Sequence, residues 1–520
     1  MPAKTRLSIA TALAAIGLAH SASAADCSDL TQLQLDNGQV TAATLIEAGK
    51  FTPPTAPGAP PGVGAGNYAN LPAFCRVQAI LTPTPDSDIK VEVWLPADNW
   101  NGKYVGIGNG VWAGQLSLSQ LADPLSRGYA AATTDTGHSG NGLSADWAVG
   151  HPEKLVDFGH RAVHLMTVTA KQAIEAFYGN SAEYSFWNSC STGGRQGLMA
   201  ASRYPDDYDA ISAMAPANPM TDLMTQSMWA SWVNKRSADA QLDPGKLSLI
   251  HQAVMNQCDA LDGLEDGVIG RPDACTFDPA SLVNTSNGLT QAQADAMQAI
   301  YDGVRASDGS IILPGWPRGA EMQLTALVMG PEPFPVAMSW FKLLVHGDDS
   351  SWNWLTMDWS KEIAASRDYG ADILNVSAET LAPFFARGGK LLLSHGWNDG
   401  LIPANNTVKF YGELQTAGAP QDQLRLFMAP GMEHCAGGEG PNSFDTLGTL
   451  DAWVSTGQAP DRIVATRLSS PNPNAAQLPA MTRALCAYPR VARFDGTGNP
   501  AEEGNFSCEL PDKDGFTNGN

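Results

Sequence analysis

The amino-acid sequence predicts an α/β fold, built on a largely parallel sheet and interrupted by a large, mostly helical insertion. Three observations lead there. Short runs rich in β-branched and aromatic residues alternate with helix-periodic stretches, the strand–helix–strand rhythm of parallel sheets. That rhythm stops near residue 217 and resumes at Lys390. The 520 residues are 43% hydrophobic and only 16% charged, which is ample material for a core.

Taken in order, residues 1–24 read as a secretory leader. Lys4 and Arg6 precede an apolar run from Leu7 to Ala19, and Ala22-Ser23-Ala24 supplies an A-x-A cleavage site. The run is too short to span a bilayer, so the mature chain is expected outside the cytoplasm, secreted or periplasmic. Residues 52–70 form a breaker-rich Pro/Gly loop leading to Cys75. Buried strands are expected at Val91–Pro96, Tyr104–Gly108, Ala130–Thr134, Ser185–Asn188, Ala210–Ala215, Lys390–Ser394 and Leu424–Met428. The clearest helix is Lys154–Tyr178, with Leu155, Phe158, Ala162, Leu165, Met166 and Val168 near a 3.6-residue spacing. Residues 217–386 are expected to form a second, lid-like domain, with the catalytic domain on either side at 25–216 and 387–520. Seven of the fourteen tryptophans fall in the insertion. Most read as bulky core, and a few could line an aromatic cleft.

The net charge of −22, or −24 without the leader, opposes polyanionic partners. A nucleic-acid surface needs clustered Lys and Arg, and an anionic membrane surface attracts basic segments. The expected partner is a small molecule, neither nucleic acid nor membrane. All eight cysteines follow the leader, and an even count in an exported chain reads as disulfides. Eight cysteines allow 105 complete pairings. No C-x-x-C occurs, which removes the usual zinc-ribbon and thioredoxin readings.

The run from Ser185 to Gly197 places Ser191 on a strand-to-helix turn, where a nucleophile elbow belongs. Gly193 matches the second glycine of G-x-S-x-G, but Ser189 replaces the first. A serine hydroxyl needs a base within hydrogen-bond reach, and the base needs an acid to hold its tautomer. In α/β-hydrolases the chain order is Ser, Asp, His. Asp399 follows the strand at Lys390, and His434 follows the strand at Leu424, so both stand where that order requires. If His434 reaches Ser191, their neighbours Cys435 and Cys190 come within disulfide range. A Cys190–Cys435 bridge is therefore expected.

Cys-Ser-Thr-Gly-Gly-Arg-Gln (190–196), His-Gly-Trp-Asn-Asp (395–399) and His-Cys (434–435) resemble the tannase and feruloyl esterase family. Trp100-Asn-Gly-Lys103, Gly108-Asn-Gly110, Thr134-Asp-Thr-Gly-His138, Phe158-Gly-His-Arg-Ala162 and Tyr204-Pro-Asp-Asp-Tyr-Asp209 extend the resemblance over nearly all the mature chain. It implies an α/β-hydrolase with an inserted lid that cleaves esters of phenolic acids. Hydroxycinnamate esters rank first, gallate esters second, and a terephthalate monoester is a further alternative. Arg318 and Lys342 are cationic candidates for a terephthalate carboxylate. Ile402 stands where the terephthalate hydrolase of this family has Phe. The rival outside catalysis is a secreted binding protein on a decayed hydrolase fold. A missing triad residue would favour that rival, and none is missing.

The oxyanion donors are expected to be the backbone N–H of Thr192 and of Gly110 in the Gly-rich loop. Between Cys258 and Cys275, Asp259, Asp262 and Asp266, with Glu265 beside them, repel one another unless a cation intervenes. Hard oxygen donors select Ca²⁺, and a solvated acidic loop is the alternative. The family resemblance implies a structural calcium held by those three carboxylates, with Leu264 and Val268 supplying carbonyls. Cys258 and Cys275 bracket this loop and should close it. Sequence proximity and the resemblance suggest Cys27–Cys75 and Cys486–Cys508. His160 and His164 stand one helical turn apart but lack the other ligands of a zinc motif, so they read as packed or surface histidines. His138, in a Gly-rich loop after a strand, reads as structural, with the border of a cleft as the alternative.

Overall fold

The computed structural model describes residues 26–54, 68–305, 309–468 and 480–511. The leader expected at 1–24 and most of the loop expected at 52–70 lie outside them. The first twelve strands in chain order are β1 (Gln34–Leu35), β2 (Gly38–Ile46), β3 (Phe74–Leu81), β4 (Ile89–Pro96), β5 (Lys103–Gly106), β6 (Ala130–Thr134), β7 (Tyr184–Cys190), β8 (Ala210–Met214), β9 (Val304–Arg305), β10 (Ile311–Leu313), β11 (Lys390–Gly396) and β12 (Leu424–Ala429). Ten of them form one sheet in the order β1-β2-β3-β4-β6-β5-β7-β8-β11-β12.

From β6 to β12 the neighbours are parallel. These strands are buried on both faces, and β6 is buried at all five positions, so they read as continuous apolar runs. The Val91–Pro96 run departs from the parallel expectation. As β4 it pairs antiparallel with β3 and with β6, closing an antiparallel meander of β1 to β4. One core lies between the sheet and the helix Ala162–Tyr178, and a second, with Trp94, Phe186, Leu392, Phe427 and Trp453, covers the other face.

The helix expected at Lys154–Tyr178 is real but interrupted. A helix Pro152–Val156 runs into a π-helical turn, Asp157–Arg161, and then into Ala162–Tyr178, which stops at Gly179 with φ 73°. The wide turn holds one more residue than an α turn and rotates the helix beyond it. Of the expected face, Leu155, Phe158, Ala162 and Met166 are buried and Leu165 and Val168 half-buried, while Val163, Thr167 and Ala170 are buried as well. Arg195 is fully buried and donates to the carbonyls of Gly159 and Phe158 in that turn.

After β8 the chain leaves the sheet and returns at β11. Between them lie the helices Met220–Lys235, Pro244–Cys258, Gln291–Asp302 and Trp359–Leu374 and the ribbon β9–β10; this stretch builds one apolar cluster largely by itself and shares another with Trp112, Ala145, Leu155 and Phe158. Val376, Ala378, Leu381, Phe384 and Phe385 already pack in the core of the sheet. Trp316 and Trp340 are buried fillers, while Trp229, Trp232 and Trp359 pack on one another. All four expected disulfides are present: Cys27–Cys75, Cys190–Cys435, Cys258–Cys275 and Cys486–Cys508. Such bridges persist in oxidising compartments. Among the described residues no helix is long and apolar enough to cross a membrane.

Candidate active site

Ser191 joins β7 to the helix Thr192–Arg203 with φ 64° and ψ −127°, a conformation that costs energy in any residue bearing a side chain. The surroundings hold it there. Its N–H donates to the Met214 carbonyl at 3.0 Å, and its carbonyl accepts from the N–H of Ala217 and of Arg195. A Cβ on Gly193 would lie 2.0 Å from the Ser189 hydroxyl. Ser189 is therefore accommodated in place of glycine because Gly193 carries no side chain, and the elbow keeps its form.

Three expected residues meet at this turn. His434 Nε2 lies 2.9 Å from Ser191 Oγ, and His434 Nδ1 donates to Asp399 Oδ2 at 2.7 Å. Cys190 and Cys435 are bonded at a Cα separation of 5.9 Å, so a covalent link runs between the neighbours of the serine and the histidine. Burial alone would push the Asp399 carboxyl up, but the charge of His434 and hydrogen bonds from both facing histidines hold it below the usual range. Burial lowers His434, and the Asp399 carboxylate outweighs it, leaving the imidazole raised above 6.5.

The second histidine facing Asp399 sits in the His-Gly-Trp-Asn-Asp run, where sequence reasoning gives it no role. His395 Nε2 lies 3.0 Å from Asp399 Oδ2 and 3.2 Å from the Ile402 carbonyl. Both are acceptors, so this nitrogen carries the proton, and Thr407 Oγ1 donates to Nδ1 at 2.7 Å. Leu401 and Ile402 donate their N–H groups to Asp399 Oδ1. The buried carboxylate thus receives four hydrogen bonds, which keeps it ionised and fixed in place.

The Gly108–Gly110 loop is stapled to the helix after Ser191. Gln196 accepts from the Asn109 N–H at 3.0 Å and donates to Asn109 Oδ1 at 3.1 Å. Gly193 N–H donates to the Asn109 carbonyl, and Thr192 Oγ1 donates to the Val111 carbonyl. Gly110 and Thr192, the two expected oxyanion donors, both line the cavity that opens over Ser191, as does Val111.

That cavity has a volume of about 540 Å³. Its walls are largely apolar, including Met214, Met220, Leu223, Met224, Phe334 and Val336, and Ile402 also lines it. His434 is the one titratable side chain of the described lining, which holds no lysine, arginine or tryptophan. Arg318 instead donates to the Phe277 carbonyl and lies over the Tyr301 ring, and Lys342 faces Asp348.

The acidic loop folds on itself. Asp259 accepts from the backbone of Asp266, Gly267 and Val268, and Asp262 accepts from Leu264. Asp266 accepts from Val268 and forms an ion pair with Arg483. Burial and the neighbouring Asp266 and Asp259 push the Asp262 carboxyl up to about 7, and Asp259 is also raised. The donors are hard oxygens with a deficit of positive charge, which suits Ca²⁺. Among the described residues, however, no three such side chains converge closely enough to hold a metal as they stand. Away from the site, His160 bonds Tyr204 and His164 bonds Asp207. His138 stacks on Trp147, bonds the Trp112 carbonyl and is lowered to about 4 by burial.

The model of the family described as tannase and feruloyl esterase matches residues 75–337 and 345–509. An uncharacterized esterase of Xanthomonas campestris is 32% identical, covering 95% of this chain and 93% of that protein. A probable feruloyl esterase B-2 of Aspergillus oryzae is 29% identical, covering 92% and 94%. The crystal structure of feruloyl esterase B from Aspergillus oryzae superposes with a TM-score of 0.82 at 26% identity, covering 93% of this chain and 99% of that one.

Proposed function

The chain belongs to the tannase and feruloyl esterase family of carboxylic ester hydrolases, and on that premise we propose that it is an exported serine esterase cleaving esters of hydroxycinnamic acids. The observation that carries this reading is the hydrogen-bonded chain Ser191–His434–Asp399 opening into an apolar cavity. Ser191 Oγ attacks the ester carbonyl while His434 Nε2 takes its proton, and Asp399 holds the imidazole and offsets its charge. The N–H groups of Thr192 and Gly110 receive the oxyanion. His434 then gives the proton to the departing alcohol, leaving an acyl-enzyme on Ser191. Water, deprotonated by the same histidine, releases the acid.

Residues 217–386 act in this reading as the lid that shapes the acyl site. The leader at 1–24 directs export, and the four disulfides support an oxidising destination. A calcium ion held by Asp259, Asp262 and Asp266, with the carbonyls of Leu264 and Val268, would neutralise the raised carboxyls and brace the loop. The uncharged lining favours a neutral aromatic acyl group over a terephthalate half-ester, whose free carboxylate would be buried without a partner. A gallate ring would bring three hydroxyls against mostly apolar walls.

The test is kcat/KM on methyl ferulate, chlorogenate, methyl gallate and mono(2-hydroxyethyl) terephthalate. Methyl ferulate or chlorogenate should lead. A clear preference for either of the last two would overturn the substrate assignment, and no hydrolysis of any of them would overturn the reaction.

A further inference from the structure

Four residues of the helix Met220–Lys235 line the cavity: Met220, Leu223, Met224 and Ser227. Their spacing, i, i+3, i+4 and i+7, puts them in one stripe on one helix face. The stripe starts beside the nucleophile, because the Ala217 N–H just upstream is bonded to the Ser191 carbonyl. It ends at Ser227, seven residues beyond Met220 and therefore roughly 10 Å farther along the axis.

Ser227 is chemically out of place there. The other three positions are apolar, two of them thioethers well suited to an aromatic ring, and Phe334 and Val336 also line the cavity. Ser227 is 2% exposed, and its hydroxyl has no hydrogen-bond partner among the described residues. Its polar neighbours on the same helix are all satisfied. Thr225 donates to the Thr221 carbonyl, Ser231 to the Leu327 carbonyl, and Gln226 pairs with Asn406. A hydroxyl that faces the cavity and is not engaged by the protein is free to pair with a polar group of a bound ligand.

We propose that Ser227 is a specificity-determining residue whose hydroxyl pairs with the phenolic hydroxyl of the substrate's acyl ring. The inference rests on the esterase reading above and assigns the acyl group to this stripe. With the ester carbonyl at Ser191, a hydroxycinnamoyl group laid along Met220, Leu223 and Met224 carries its ring hydroxyl toward the far end, where Ser227 waits. The same acyl group without the hydroxyl fills the same walls but leaves Ser227 unpaired.

The experiment compares methyl p-coumarate with methyl cinnamate, two esters of one alcohol that differ only in the ring hydroxyl. It uses the intact protein and the variants S227A and S227T. The p-coumarate to cinnamate ratio of kcat/KM should fall roughly 3- to 10-fold in S227A, the range expected for one neutral hydrogen bond, with the change mainly in KM. S227T, which keeps the hydroxyl, should retain the higher ratio. Alanine is a strong helix former, and circular dichroism checks the fold of each variant. A ratio unchanged within twofold in folded S227A overturns the proposal while leaving the esterase reading intact. Failure of the unsubstituted protein to hydrolyse either ester overturns both.

Discussion

Replacing both Cys190 and Cys435 with alanine should damage catalysis as well as stability. The bridge spans 245 residues, and a loop of that size corresponds to as much as about 5 kcal/mol of stability in the chain-entropy account. That is a large share of the roughly 5–15 kcal/mol available to a folded protein, so the assay belongs well below the melting temperature, with circular dichroism to certify the fold. The catalytic loss has a separate origin. The bridge joins the residue before Ser191 to the residue after His434, and without it the 2.9 Å contact between them depends on non-covalent contacts, chiefly the His434–Asp399 hydrogen bond and loop packing. A drift of about 1 Å in such a contact can cost on the order of 100-fold, so kcat/KM on methyl ferulate should fall roughly 10- to 100-fold. The control is C486A/C508A, which opens a 22-residue separation at a bridge that does not line the cavity over the serine. It should lower the melting temperature and leave kcat/KM near its original value. If the folded C190A/C435A variant kept kcat/KM within twofold, the bridge would be a structural staple only and the reasoning would fail.

The electrostatics of the two carboxylate sites give further expectations. His434 must be neutral to accept the Ser191 proton, and the Asp399 carboxylate raises it above 6.5. The acid limb of kcat/KM against pH should therefore have its midpoint above that value, and a midpoint at or below 6.5 would contradict the assigned pairing. In metal-free protein the Asp262 carboxyl, raised from 3.8 to about 7, contributes stability that is complete below pH 3.8 and lost as the pH rises through about 7. Calcium binding to the ionised loop should reverse that loss. The rise in melting temperature on replacing EDTA with CaCl₂ should thus be larger at pH 8 than at pH 5, and an equal or absent effect would count against the calcium site.

The parts of this molecule that are legible in its sequence are those governed by strict physical rules. Strands such as β6 and β11, covered on both faces, carry unbroken apolar runs, Ala130–Ala132 and Leu391–Leu393, and these stand out. The meander strands β1 and β2 do not, because β2 alternates half-buried and exposed positions and is rich in Thr, Gln and Ala. The π turn at Asp157–Arg161 leaves no composition signal. Ser191, Asp399 and His434 are visible because the chemistry restricts both residue type and chain order. His395 is hidden because its role depends on the chain folding back so that two histidines share one carboxylate oxygen. Gln196 and Asn109 each lie in a recognisable motif, but their pairing spans 87 residues. The acidic loop reads in sequence as bare carboxylates, whereas Arg483, 217 residues away, reaches Asp266.

The most direct test is the single substitution Ser191→Ala, measured as kcat/KM on methyl ferulate alongside the melting temperature. Removing the hydroxyl takes away one polar atom at the edge of a cavity, so the fold should persist. Loss of the nucleophile should lower kcat/KM by on the order of 10⁴-fold or more. A folded S191A protein that hydrolysed the ester within tenfold of the original rate would contradict the account, because no acyl-enzyme could then form at residue 191.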